Sequence, residues 1–500
     1  MDRAARRLRR WSILLAWFGA GALLLPATAG SGSRLEVDVT GSVNAPGYQS
    51  GEPEIAINPT NPNEIFIAHS TSEYTGSLDP AISFAPSPPH SCGGMVSRNG
   101  GASWRPAFLP FRQQTRFTLS QCANGMAAFG PDGTLYAGGA ALMGYDTAGT
   151  PPDCPPRSLP FGRQCIEFQG DTLLARSING GKTWTELQHP LGTPGTGAYQ
   201  FARGLGEPAG VFDRPWLAVD QSTGVVYFSA AKIGANRQRF VTASRDKGNT
   251  WGLIYAVDSP AYPQANYGIA RLSSSNIAVA KGVLAVSYVA DPAPGGCSAK
   301  CLAFAASRDQ GATWNRHLVP LVNASLEGGP DAGVVFVAAN PARGGDFAVL
   351  TLDSSETENQ VYTTGTFGQT WQGPTVVAEA PPQKRFNRWF AYGPSGQLLL
   401  VWRTWHGTPD SAATAYDTWA AVDREGSHGA VFSAPVRVSS KSGKYAPQCM
   451  GGALSGCVDS FSYITADRQY VHVGWGDSRS GEQQVWYSRI PLRDFKFTGE

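Results

Sequence analysis

The chain has 500 residues, with 40 Lys and Arg against 38 Asp and Glu and a formal net charge of +2. That balance excludes the dense basic surface on which nucleic-acid and anionic-membrane binding depend. Only 16% of residues are charged, while 59 Gly, 36 Pro and 14 Trp favour many short strands joined by tight turns over long amphipathic helices.

From the N-terminus, the basic stretch MDRAARRLRR runs into the apolar WSILLAWFGAGALLLP and the small-residue Ala27-Thr28-Ala29. This is the layout of an export signal over residues 1–29. It carries five Arg and one Asp, so without it the formal charge falls from +2 to −2. No later apolar run reaches the roughly 18 residues of a membrane span. The expected location is secreted, periplasmic or extracellular.

A second signal is internal repetition. SRNGGASW (97–104) recurs as SINGGKTW (177–184), SRDKGNTW (244–251), SRDQGATW (307–314) and the eroded TGTFGQTW (364–371). Each copy joins two extended runs, which makes it a hairpin turn. Asp or Asn at the third place can bond amides of the turn, Gly at the fifth can take a positive φ, and the Trp supplies an apolar ring to the blade. Extended backwards, each unit holds two more strands, such as PWLAVDQSTG with VVYFSAA. Four strands per unit is a propeller blade.

Two further units, around RWFAYGPSGQLLLVW and SYITADRQYVHVGWGDSRSG, keep the pattern without a clean box. The expected fold is therefore all-β, a single β-propeller over 52–491 with seven blades, six being the alternative count. The last unit shows three strands, and RLEVDVTG (34–41), within the N-terminal segment 30–51, is spare; pairing the two would close the ring. Residues 492–500 are read as a tail.

The box and blade patterns resemble the bacterial neuraminidase (Asp-box) repeat proteins of the sialidase superfamily. EPEIAINPTNPNEIFIA (52–68), DRPWLAVD (213–220) and GWGDSRSG (474–481) carry the likeness to its secreted bacterial members. The resemblance implies boxes on the face opposite a central pocket. It also implies three arginines gripping a substrate carboxylate, a Tyr nucleophile activated by a Glu, and an Asp acid/base. The chain departs from that pattern at the first arginine: where the family has an Arg-Ile-Pro motif, this sequence has SGEPEIAI, with Glu52 and Glu54.

The cysteines, Cys92, Cys122, Cys154, Cys165, Cys297, Cys301, Cys449 and Cys457, fall in connections on the face away from the boxes. An even number in an exported chain favours disulfides, and the spacing favours pairs 92–122, 154–165, 297–301 and 449–457. The cysteine spacing is that of local disulfide pairs rather than of a metal-ligand set, so no metal and no cofactor is expected.

Site candidates lie at strand ends on that same face. Glu52, Asp213, Asp331 and Asp459 are the candidate catalytic carboxylates, able to serve a neutral sugar by paired-carboxylate hydrolysis. Arg214, Arg388, Arg403, Trp405, His406, Asp477 and Arg479 are the candidate substrate-binding residues. Structural alternatives stand beside each: turn caps for the aspartates, inter-blade ion pairs for the arginines, an ordinary exposed loop residue for His406. The functional expectation is a sialidase-like exo-glycosidase, a monomer acting on a carbohydrate or glycoconjugate. The alternative is a non-catalytic propeller that binds glycan or protein, or a cell-envelope scaffold.

Overall fold

The computed structural model describes residues 33–41, 48–73, 92–109, 118–145, 167–187, 199–200, 211–233, 239–257, 276–290, 298–326, 336–377, 383–407, 414–424, 431–444 and 462–497. Residues 34–500 form one compact unit. Its described elements are strands, apart from one short 3-10 turn.

The strands make seven antiparallel blades. Their inner strands are Tyr48–Ile57, Thr118–Phe129, Val211–Val219, Ile277–Ala280, Phe336–Ala339, Arg385–Tyr392 and Ser462–Ala466, numbered here as blades 1 to 7. Each runs from the face bearing the long connections to the box face, where polar side chains close the turn to the next strand. Asp132 Oδ1 accepts from Thr134 N (3.0 Å) and Asp220 Oδ1 from Ser222 N (2.9 Å). Blade 7 obtains its fourth strand from the N-terminal segment: Leu35–Asp38 pairs antiparallel with Gln484–Pro491, Leu35 opposite Arg489 and Asp38 opposite Trp486.

All five box turns share one hydrogen-bond pattern. The first-place hydroxyl accepts from the fifth-place amide, as in Ser244 Oγ with Gly248 N (2.8 Å) and Ser307 Oγ with Gly311 N (2.8 Å). The third-place side-chain oxygen, from Asn99, Asn179, Asp246, Asp309 or Thr366, accepts from the seventh-place amide, Asp309 from Thr313 N at 2.8 Å. The fifth-place Gly is needed twice over. At Gly311 φ is +97°, and a Cβ there would come within 2.7 Å of Val241 Cγ1 on the preceding blade.

The second-place Arg also has a role, one the repeat alone does not reveal. The fourth place of every box is left-handed, at Gly100, Gly180, Lys247, Gln310 and Phe367, with φ between 57° and 66°. An arginine of the preceding blade reaches each. Arg489 donates to Gly100 O (2.7 Å), Arg98 to Gly180 O (2.7 Å) and Arg176 to Lys247 O (2.8 Å). Arg245 bonds the Gln310 side chain (3.2 Å), and Arg308 lies 3.9 Å over the Phe367 ring. On the box face, then, arginines stitch consecutive blades together from blade 7 round to blade 5.

Of the cysteines, Cys301 is disulfide-bonded, while Cys154, Cys165, Cys297, Cys449 and Cys457 lie outside the described residues. Backbone register sets Cys92 opposite Ser70 and Cys122 opposite Thr71, consecutive residues of one strand. Peptide mapping without reduction is expected to recover a 92–122 link, whose loop closure would contribute about 2–4 kcal/mol. Recovery of either cysteine joined to a distant blade would contradict this.

Candidate functional site

Four inner strands open on the same irregularity. The register skips between Gly51 and Glu54, Ala123 and Met126, Asp213 and Trp216, and Phe386 and Trp389. In each, two residues oppose one on the neighbouring strand, which is a β-bulge, a device that re-aims side chains at strand ends. In three of the four the first bulge residue is a non-glycine with positive φ: Glu52 (51°), Arg214 (49°) and Asn387 (46°). Holding such residues left-handed costs of order 1 kcal/mol or more each, and such strain gathers at functional sites.

The bulges bring side chains together over the channel. Glu52 of blade 1 and Arg214 of blade 3 approach to 3.8 Å, their side chains 12% and 16% exposed. These blades are not neighbours, so the pair spans the mouth past blade 2. The Ser70 hydroxyl donates to Glu52 Oε2 at 2.8 Å and fixes the carboxylate. Arg388, 4% exposed, occupies the second bulge position of blade 6. Arg403 is fully buried on the next strand, its Nε donating to Ser462 Oγ of blade 7 at 3.1 Å.

Aromatic rings close the channel beneath this mouth. Trp216, next after the blade 3 bulge, meets Trp389, next after the blade 6 bulge, with ring centroids 5.1 Å apart. Phe336 and Tyr463 pack on Trp389 at 4.3 and 5.0 Å. Blades 3 and 6 lie on opposite sides of the ring, so this contact crosses the axis and stoppers it.

The other expected residues are placed elsewhere. Trp405 is 4% exposed and stacks on Phe386, centroids 4.1 Å apart, so its face is not open to a sugar. His406 Nε2 lies 2.9 Å from Asp417 Oδ2, and Asp417 is in turn bound by Arg437 at 2.5 Å. Asp477 and Arg479 bond each other (2.6 Å), and Arg479 continues to Glu36 (2.6 Å) on the ring-closing strand. Asp213 pairs with Ala231 at the entry of its strand, and only its backbone is described. Asp331 and Asp459 lie outside the described residues.

Several residues at the mouth were missed in the sequence: Ser70, Asn387 and the stopper. The signal was present in aligned form. Gly-Glu-Pro-Glu, Ala-Asn-Gly-Met, Asp-Arg-Pro-Trp and Phe-Asn-Arg-Trp each precede an apolar strand, and Pro or Gly at a strand entry marks a bulge. Such a mouth can bind an acidic or hydroxyl group through its guanidinium groups and offers Glu52 for proton transfer or attack.

No protein-family model matches the chain, and no curated protein does. Among solved structures it is similar to a protein of unknown function from Dyadobacter fermentans (14% identity, TM-score 0.45, covering 91% of this chain and 97% of that one). A Hadza microbial sialidase is similar at 13% identity and a TM-score of 0.44, covering 92% and 96%. Trypanosoma rangeli sialidase in complex with sialic acid follows at 11% and 0.41, covering 78% of this chain and 55% of that one. Seven four-stranded blades with five identically bonded turns decide the architecture.

The fold is a seven-bladed β-propeller with repeated box turns. In this propeller the box face is occupied by blade-to-blade arginines, whereas the opposite face holds the strained bulges. Fold alone assigns no activity.

Proposed function

We propose that this propeller is an exported, sialidase-like exo-glycosidase acting on a glycan at the channel mouth. Glu52 is the proposed catalytic carboxylate, with Asp213, Asp331 and Asp459 as partners from other blades. Arg214, Arg388 and Arg403 are the proposed substrate-binding residues. The observation that carries this reading is the Glu52–Arg214 pair, a carboxylate and a guanidinium from non-adjacent blades delivered to one point by left-handed bulges. Strain of that kind is retained where it positions a group.

A second reading, a non-catalytic glycan-binding propeller, is favoured by the same pair, because Arg214 already compensates the one described carboxylate at the mouth. The test is hydrolysis of a fluorogenic sialoside beside neutral-sugar glycosides, with binding to a glycan array measured in parallel. For an enzyme, Glu52→Gln is expected to abolish turnover with the fold intact. Arg388→Ala is expected to weaken substrate binding by about 10- to 100-fold, the loss of a bond to a charged group. Binding without turnover assigns the second reading; wild-type behaviour of both variants removes the mouth from consideration.

A further inference from the structure

The seam that closes the ring differs from the other box seams. At each box the fifth-place Gly packs against the preceding blade, where an added Cβ would meet Ala107 at Gly181, Leu187 at Gly248, Val241 at Gly311 and Phe304 at Gly368, all apolar. At Gly101, where blade 1 meets blade 7, it would meet Tyr487, 2.2 Å from Cε1 and 2.6 Å from the hydroxyl. The Tyr487 ring is fully buried and also packs edge-on against Trp104 of the same box, centroids 5.0 Å apart.

The hydroxyl that enters this seam is held by a histidine. His472, also fully buried, has Nδ1 2.6 Å from the Tyr487 hydroxyl and Nε2 3.1 Å from Asp467 Oδ2. Burial raises the Asp467 carboxyl, but hydrogen bonds from His472 and from the Gln469 and Tyr470 amides (2.6 and 2.7 Å) outweigh it, and the carboxyl lies below its ordinary range. Ionised, it only accepts. Nε2 therefore carries the proton of the neutral imidazole, and Nδ1 accepts from the Tyr487 hydroxyl.

Protonation breaks this arrangement. With a proton on both ring nitrogens, the hydroxyl must turn and accept, and its own proton faces packed side chains with no acceptor among the described residues. An unmet buried donor is costly. We infer that the seam between blades 7 and 1 is an acid-sensitive clasp: neutral His472 holds the Tyr487 hydroxyl beneath the blade 1 box, and protonated His472 cannot accept it.

Two charges act on the imidazole. Burial, the largest influence, holds it below its ordinary value of 6.5; Asp467 favours the cation, and Arg489, opposite His472 in register, disfavours it. Other groups facing the seam add no compensating charge. Tyr470 meets the imidazole edge-on at 6.4 Å, burial raises Glu54 on the inner strand of blade 1 well above its ordinary range, and Glu64 is taken by Arg98 at 3.2 Å. The clasp is thus complete above about pH 6.5 and weakens as pH falls below it, the opening constant rising by up to about tenfold per unit for the one proton taken up.

The test is hydrogen–deuterium exchange of the whole protein between about pH 7.5 and 5.5, a window that keeps Asp467 ionised, with rates corrected for the intrinsic pH dependence. In the wild type, residues 97–104 are expected to lose protection on acidification by up to about tenfold per unit more than residues 244–251 and 307–314, whose seams are apolar. His472→Gln, which offers an N–H to Asp467 and an oxygen to Tyr487 without titrating, should abolish that excess. His69, driven down to about 4 by burial, is present in both proteins and cancels in the comparison. The wild-type comparison between boxes needs no variant. Equal loss at all three boxes, or an excess at 97–104 that survives His472→Gln, overturns the inference.

Discussion

Trp314→Ala is expected to lower the unfolding free energy by about 3–5 kcal/mol, the cost of a large core truncation. Trp314 is 7% exposed and belongs to the main hydrophobic cluster together with Val241 of the preceding blade. Its ring covers the box glycine: a Cβ on Gly311 would lie 3.5 Å from Trp314. Deleting the ring opens a cavity at a blade-to-blade seam, where neighbours held by two sheets can collapse only partly. The measurement is the midpoint of denaturant unfolding at unchanged slope. Trp251, the same box position one blade earlier, is only partly buried and makes an edge contact with Phe228 at 6.3 Å, so its truncation should cost less. A Trp314→Ala protein that kept its midpoint yet lost ligand binding would show that the box serves function rather than architecture.

Arg479→Ala is expected to cost as much, about 3–5 kcal/mol, by leaving buried charge uncompensated. Arg479 is 7% exposed at its side chain and sits between Glu36 (11%) and Asp477 (0%), 2.6 Å from each. Asp477 also accepts from Trp475 Nε1 at 2.8 Å, and the Arg479 guanidinium lies 4.3 Å over the Trp486 ring. Removing the guanidinium strands two carboxylates and releases the latch on Leu35–Asp38. The unfolding midpoint should fall, and limited proteolysis should cut near residue 34 first. A midpoint equal to wild type, with glycan binding lost, would return Arg479 to the ligand-binding role that its loop position invites.

This residue shows where reading the sequence reaches its limit. The motif GWGDSRSG places an Arg, an Asp and a Trp in a turn on the elaborated face, which is equally the description of a ligand site and of a closure. What separates them is Glu36, 443 positions earlier. No local pattern contains that distance. His406 is similar: beside Trp405 in a Gly-ended loop it reads as an available base, and the fold gives it Asp417 on the adjacent strand.

Repetition, by contrast, is local and is read directly. Five boxes with the same residue types at the same places specify five identical turns, and the alternating strands between them specify blades. The hydroxyl, carboxylate and glycine positions of the box follow from turn chemistry. The Arg at its second place does not, because its partner is the left-handed carbonyl, side chain or ring of the next blade's box.

By itself the sequence determined an all-β chain, its blade units, the chemistry of its turns and which face carries the long connections, since all of these depend on residues within one turn or hairpin of each other. Tertiary structure alone decided which charged residues meet. Glu52 and Arg214 are 162 positions apart and become neighbours only because seven blades close on an axis. The same closure sets Trp216 against Trp389 and turns Arg479 inward to the chain's own first strand. Ring closure is a sum over all blades, and no window of sequence contains it.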